Sequence, residues 1–157
     1  MKTTHKTGLS ENIRITVFYP NGTKESINLR NEIKTCWLNA IRDALKGVVT
    51  DLEIKYIAWG SSNAANSTSQ TTLGAEFGRK QITSQTNGGD GELDTVVYVA
   101  PAEATEYTIE ELGWFAGESA TSSPNSGILV ARVLYNRAKT NLESLQIERT
   151  DSISEVT

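Results

Sequence analysis

One cysteine, one histidine and three prolines stand among 157 residues. With Cys36 alone, no disulfide can close within the chain, and no Cys/His set can form a zinc-type site. With His5 alone, any Ser–His or Cys–His nucleophile would depend on one residue in a polar N-terminal stretch. Long apolar runs are missing too. Nothing approaches the roughly 18 residues of a spanning helix, and "MKTTHKTGLSENIRITVF" has no secretory apolar core. The expectation is synthesis and assembly in a cytoplasm, with no membrane partner. A basic excess is also absent, since 15 Lys and Arg against 19 Asp and Glu give a net charge of −4. Phosphate-backbone binding needs the opposite balance, so nucleic acid is set aside as a partner.

Cofactor signatures are lacking as well. "GAEFGRK" has neither the glycine spacing nor the Lys-Ser/Thr pair of a phosphate loop. "NGGDGELD" sets Asp90, Glu92 and Asp94 at alternate positions. Tyr98, however, stands where a calcium loop needs its distal acid, twelfth from Asn87. A solvated hairpin turn is the better reading. No metal, no cofactor and no catalytic residue are expected, and the chain is read as a non-enzyme.

What is present is alternation. "IRITVFYP" (13–20) sets Ile13, Ile15 and Val17 on one face, and "NG" at 21–22 signals a hairpin to "TKESINLR" (23–30). "NEIKTCWLNAIRDALKG" (31–47) changes period. Ile33, Trp37, Ala40, Ile41, Ala44 and Leu45 form one helical stripe, with Asn31 as cap and Gly47 as stop. "LEIKYIAWG" (52–60) returns to a strand. Its first half reads as covered on one face and its second half on both.

Further strands follow at about 79–85, 92–101, 105–117, 128–137 and 141–149, the last two read as a pair. Residues 73–78 read as a turn or a single helical turn. Two polar loops, 61–72 and 118–127, are long for a compact domain. Residues 1–10 read as a flexible arm and 150–157 as a frayed tail, around one β-rich domain at 11–150. The expected class is mainly β, a sandwich or curved antiparallel sheet with one amphipathic helix packed on it, α+β by count.

"TIEELGWFAG" (108–117) tests the chemistry. Strand neighbours point to opposite faces. Glu111 then lies with Tyr107, Ile109 and Phe115, and Glu110 with Leu112 and Trp114. Two glycosidase-type carboxylates must flank one bond about 5 to 10 Å apart, so these two form no dyad. Glu111, on the more apolar face, needs a cation. Arg79 is the expected partner, because its fork suits a carboxylate. Glu76, Arg79 and Glu111 are read as a structural polar clamp holding 73–80 against the 108–116 strand. Trp37, Trp59, Trp114 and Phe115 are read as core.

The order of motifs resembles a type of bacteriophage virion protein found in tail-fibre, collar and baseplate-associated modules. In these a helix ("WLNAIRDALKG") and a strand ending in WG ("IKYIAWG") precede a small-polar loop. An L-x-x-E-x-x-R element (Leu73, Glu76, Arg79) and an I-x-E-x-G-x-F strand (Ile109, Glu111, Gly113, Phe115) follow. The resemblance covers roughly residues 35–150. It implies a virion subunit that forms homo-oligomers, trimers above all, assembles in the host cytoplasm and attaches to capsid or tail proteins. A host surface is a further candidate partner. Without a fibre region after residue 157, a capsid decoration, collar or baseplate piece is favoured. The alternative is a receptor- or carbohydrate-binding module acting through loops 61–72 and 118–127.

Overall fold

The computed structural model describes residues 6–30 and 32–156. Ten strands and one helix occur in them, in the order β1 (Lys6–Phe18), β2 (Lys24–Leu29), β3 (Glu32–Ile33), α1 (Thr35–Leu45), β4 (Ile54–Gly60), β5 (Glu76–Gln81), β6 (Ser84–Asn87), β7 (Glu92–Val99), β8 (Ile109–Ala116), β9 (Ile128–Arg137) and β10 (Ser144–Val156). They form two five-stranded antiparallel sheets, ordered β2-β1-β10-β7-β6 and β3-β9-β8-β4-β5. One apolar cluster takes Ile13, Ile15, Val97 and Ile147 from the first sheet and Ile57, Leu112, Trp114 and Val133 from the second. The sheets therefore stack face to face, as the alternating strands predict. Trp37 and Ala40 of α1 join the same cluster.

The chain passes from sheet to sheet four times. It crosses between β2 and β3, β5 and β6, β7 and β8, and β9 and β10. The expected pairing of 128–137 with 141–149 is therefore corrected. β9 pairs with β8 and β3, whereas β10 pairs with β1 and β7. Sequence adjacency suggested a hairpin, but both strands have inward faces that the opposed sheets bury separately.

The ends differ from expectation as well. Residues 6–10, read as part of a flexible arm, are strand, and so are 150–156, read as a frayed tail. They pair with each other from Lys6↔Val156 inward to Ser10↔Ser152. Both segments are polar, so their order comes from backbone hydrogen bonds that an apolar pattern cannot report. Residues 1–5, including His5, and Thr157 lie outside the described residues.

The helix is shorter than 31–47. Asn31, the expected cap, lies outside the described residues, and Lys34 occupies the N-cap position without a side-chain cap bond. Gly47, with φ of 73°, ends the helix as expected, its N–H donating to the Ala44 carbonyl. Leu45, placed on the inner stripe by periodicity, is 86% exposed. The 73–85 stretch is corrected to an extended entry, then β5 from Glu76, then β6.

Bulges reset which residues share a face. At β4 the register shifts between Ile54 and Tyr56, so Ile54 joins Ile57 and Trp59 in the inner cluster while Tyr56 packs outside with Ala58. At β8 it shifts between Ile109 and Glu111, so Ile109 packs inward with Leu112 and Trp114, not with Glu111. An extra residue in one strand reverses the parity beyond it.

The ordered C-terminal strand is testable. Asp151 holds Arg149, which is fully buried between the sheets, at 2.9 and 2.7 Å. Truncation from residue 150 removes that carboxylate and the pairing of 150–156 with 6–12. It should cost at least about 3–5 kcal/mol in urea unfolding, where a frayed end would cost nothing measurable.

Candidate functional site

The outer face of the second sheet carries the most organised polar chemistry. Glu111 on β8 and Arg132 on β9 are both fully buried. Arg132 stands opposite Gly113 and Glu111 opposite Gly60, so both side chains leave the sheet on the side away from the main core. Arg132 Nε donates to Glu111 Oε2 at 2.5 Å. The other carboxylate contacts come from backbone, with Gly74 N–H to Oε2 at 3.0 Å and Ala75 N–H to Oε1 at 2.8 Å. The other Arg132 donors reach the Ala64 carbonyl at 3.0 Å and the Ser62 carbonyl at 3.2 Å. The pair thus bolts both ends of the 61–75 connection to the sheet. Gly60 makes this possible, because a Cβ there would meet the Ala75 carbonyl at 2.8 Å and the Glu111 side chain.

Lys34 anchors the middle of the same loop. Its ammonium donates to Asn66 Oδ1 and the Ser67 carbonyl, each at 2.7 Å, and to Gln70 Oε1 and Glu32 Oε1, each at 3.2 Å. Burial pushes its pKa down, against the opposing pull of the Glu32 carboxylate. Asn66 closes the circuit by donating from Nδ2 to the Arg132 carbonyl at 2.9 Å.

Arg79 on β5 does the same for 117–127. Its Nε and Nη2 hold the Glu76 carboxylate at 2.6 and 2.9 Å. Its Nη1 reaches the Thr121 and Ser126 carbonyls at 2.9 and 3.1 Å. Glu76 in turn accepts the Asn125 N–H at 2.7 Å. The guanidinium lies 4.5 Å from the Phe115 ring centre, an attractive cation–π placement. A fourth cation, buried Lys139, donates to the carbonyls of Ala100 at 3.0 Å and Pro101 at 2.8 Å. Burial lowers its pKa too.

The sequence reading is corrected at one contact. Glu111 pairs with Arg132, and Arg79 pairs with Glu76. Leu73 packs with Phe115 in the outer apolar cluster and touches the Gly113 position. All six residues of the two short motifs other than Ile109 therefore meet on this face. Trp37, Trp59 and Trp114 lie in the inner cluster and Phe115 in the outer one. Glu110 sits in the β8 bulge and accepts from Asn136 Nδ2 at 2.7 Å, apart from Glu111.

The sequence reasoning missed Arg132, Lys34 and Lys139. Arg132 had a signal, since it is a lone cation within "ILVARVLY", the same anomaly that marked Glu111. Lys34 and Lys139 sit in polar surroundings and gave none.

As chemistry, this is a lock. Glu111, Arg132, Lys34, Glu76, Arg79 and Lys139 are each matched by a partner or by backbone dipoles. Burial raises the Cys36 thiol pKa, and the thiol donates to the Leu129 carbonyl, so it is poorly suited to attack. Asp94 accepts from Thr150 at 2.6 Å and Glu92 from the Gly89 N–H at 3.0 Å, which makes 87–94 a braced turn. Among the described residues no three His, Cys, Asp or Glu side chains gather as a metal site, and no helix is long and apolar enough to cross a membrane.

Glu111→Gln strands the Arg132 charge and should cost about 3–5 kcal/mol in urea unfolding. Glu111→Leu with Arg132→Met should cost less than the two single changes summed. A loss below about 1 kcal/mol, the range of an exposed pair, would contradict the lock. A second pair gives a pH signature. Arg137 donates to Glu143 at 3.1 and 2.7 Å and holds its carboxyl below the ordinary 4.5. That stabilisation is complete above 4.5 and is lost as pH falls through the lowered folded value. Glu143→Gln should be less stable at neutral pH and lose less on acidification, measured by thermal melts from neutral to strongly acidic buffer.

Compared with family models, with curated proteins and with solved structures, the chain gives no match.

Proposed function

We propose that the chain is a non-enzymatic structural subunit of a bacteriophage particle. It assembles as a homo-oligomer and attaches to the capsid or tail as a decoration, collar or baseplate piece. The observation that carries this reading is the locking of both long polar loops by buried cations. Loops 61–72 and 118–127 are the natural recognition surface of the alternative, a glycan- or receptor-binding module. Their carbonyls and side-chain oxygens instead serve Arg132, Lys34 and Arg79. What is left outward is a fixed surface suited to complementary packing, not an adaptable mouth.

The resemblance in the motifs supports the same view. Leu73, Glu76 and Arg79 meet Glu111, Gly113 and Phe115 on one face. In this chain those motif residues build architecture. A subunit that works by shape needs such rigidity, because ordering loops on assembly would weaken each contact.

Gold-labelled antibody against the chain, imaged on particles from a lysate that expresses it, tests this reading. Label at one fixed place on the particles is expected. Unlabelled particles, together with specific binding on a glycan array that is lost when 118–127 is shortened, would replace it with the binding module.

A further inference from the structure

The helix end of the sandwich carries an unpartnered surface that the loops leave open. A cleft of about 780 Å3 lies between α1, the β1–β10 pair and the 87–93 turn. Its apolar walls are Leu9, Trp37, Ile41, Leu52, Ile54 and Ile153. Its rim is acidic, with Asp90 and Glu92 both exposed. Among the described residues no lysine or arginine lines it. Next to it, the helix presents an apolar flank to solvent. Leu45 is 86% exposed, Val48 69% and Leu38 48%. Leu38 and Leu45, seven residues apart, stand on one side of the helix, beside Ile41 in the cleft wall. The following positions on the turn are basic. Arg42 and Lys46 have 60% and 63% exposed side chains, both beside Asp43, with Arg42 also donating to Asn39 Oδ1 at 3.2 Å.

Apolar knobs bordered by cations and an apolar cleft bordered by acids thus sit side by side. That is the pattern of a self-complementary contact, in which each copy offers a knob and receives one. We infer that the α1 flank of one copy docks in the α1/87–93 cleft of a second copy. Leu38 and Leu45 fill the apolar cleft, and Arg42 and Lys46 face Asp90 and Glu92 across the boundary. The inference rests on the assembly reading above and names the surface it uses. It also accounts for Leu45, which helical period assigns to a buried stripe and which the single chain leaves in water. Burying it on a neighbour restores the expected burial.

The test is mass in solution by light scattering, on the full chain and three variants. Leu45→Asp alters a side chain that is almost wholly exposed, so the fold should persist, checked by an unchanged urea midpoint. Arg42→Glu with Lys46→Glu reverses the knob side, and Asp90→Lys with Glu92→Lys reverses the rim. The expected result is a wild-type dimer or a multiple of it, with each variant alone reduced to monomer. Mixing the two charge-reversed proteins should restore the oligomer, because the altered knob of one then meets the altered rim of the other, and their unaltered surfaces meet each other. A wild-type oligomer that keeps its mass in all variants would overturn this contact and leave the assembly reading standing. A wild-type monomer would overturn both. Dansylcadaverine, an aromatic amine probe, serves as the competing occupant. Its fluorescence rising with an unchanged oligomer, and that rise lost in Asp90→Lys with Glu92→Lys, would give the cleft to a small cationic amphiphile instead.

Discussion

A carboxylate and a guanidinium removed from water must satisfy each other and every remaining polar atom around them. In this protein that demand falls on Glu111 and Arg132, and the way it is met organises the outer sheet face. Glu111 has lone pairs beyond those Arg132 uses, and Gly74 and Ala75 supply the N–H groups for them. Arg132 has N–H groups beyond those Glu111 uses, and Ser62 and Ala64 supply the carbonyls. The loop is therefore fixed in place because the ion pair would otherwise be incomplete.

The same solution recurs where the chain has little apolar material to bury. "SSNAANSTSQTT" and "ESATSSPNSG" cannot fold by hydrophobic burial, and their carbonyls need donors once they lie against the sheet. Lys34 and Arg79 provide them, each with its head turned inward onto backbone oxygens, and Lys139 does the same for the Ala100 and Pro101 carbonyls. Inside the sandwich Arg149 is held by Asp151 and Glu11 and lies 5.2 Å from the Trp114 ring centre. Such pairs are costly to break singly, whereas well-packed apolar replacements of both partners can be as stable. The outcome is a two-sheet module with braced loops on one face and, at the helix end, an exposed apolar surface.

Much of the architecture was legible because it follows period. Ile13, Ile15 and Val17 alternate into the core, Trp37 and Ala40 keep helical spacing, and Gly47 stops the helix. Glu111 stood out as a charge in an apolar strand. Its partner was misassigned because proximity along motifs stood in for proximity in space. Arg132 sits opposite Gly113 in the neighbouring strand, a relation fixed by register. Bulges at Lys55 and Glu110 shift parity by one, so simple alternation misplaced Ile54 and Ile109. The 150–156 strand escaped because its order is carried by backbone pairing to an equally polar 6–12 segment. Leu45 was assigned inward by period and points outward, which is the kind of disagreement an interface produces.

The central claim is that buried cations, and Arg132 first, hold the polar loops in one conformation. Amide hydrogen–deuterium exchange at Gly74 and Ala75 tests it most directly, because both N–H groups donate to Glu111. The account predicts slow exchange in the wild type, comparable with β8 amides. It predicts fast exchange at these two positions in Arg132→Met while β1 and β10 stay protected. Fast exchange at Gly74 and Ala75 in the wild type, or protection unchanged in Arg132→Met, would contradict it.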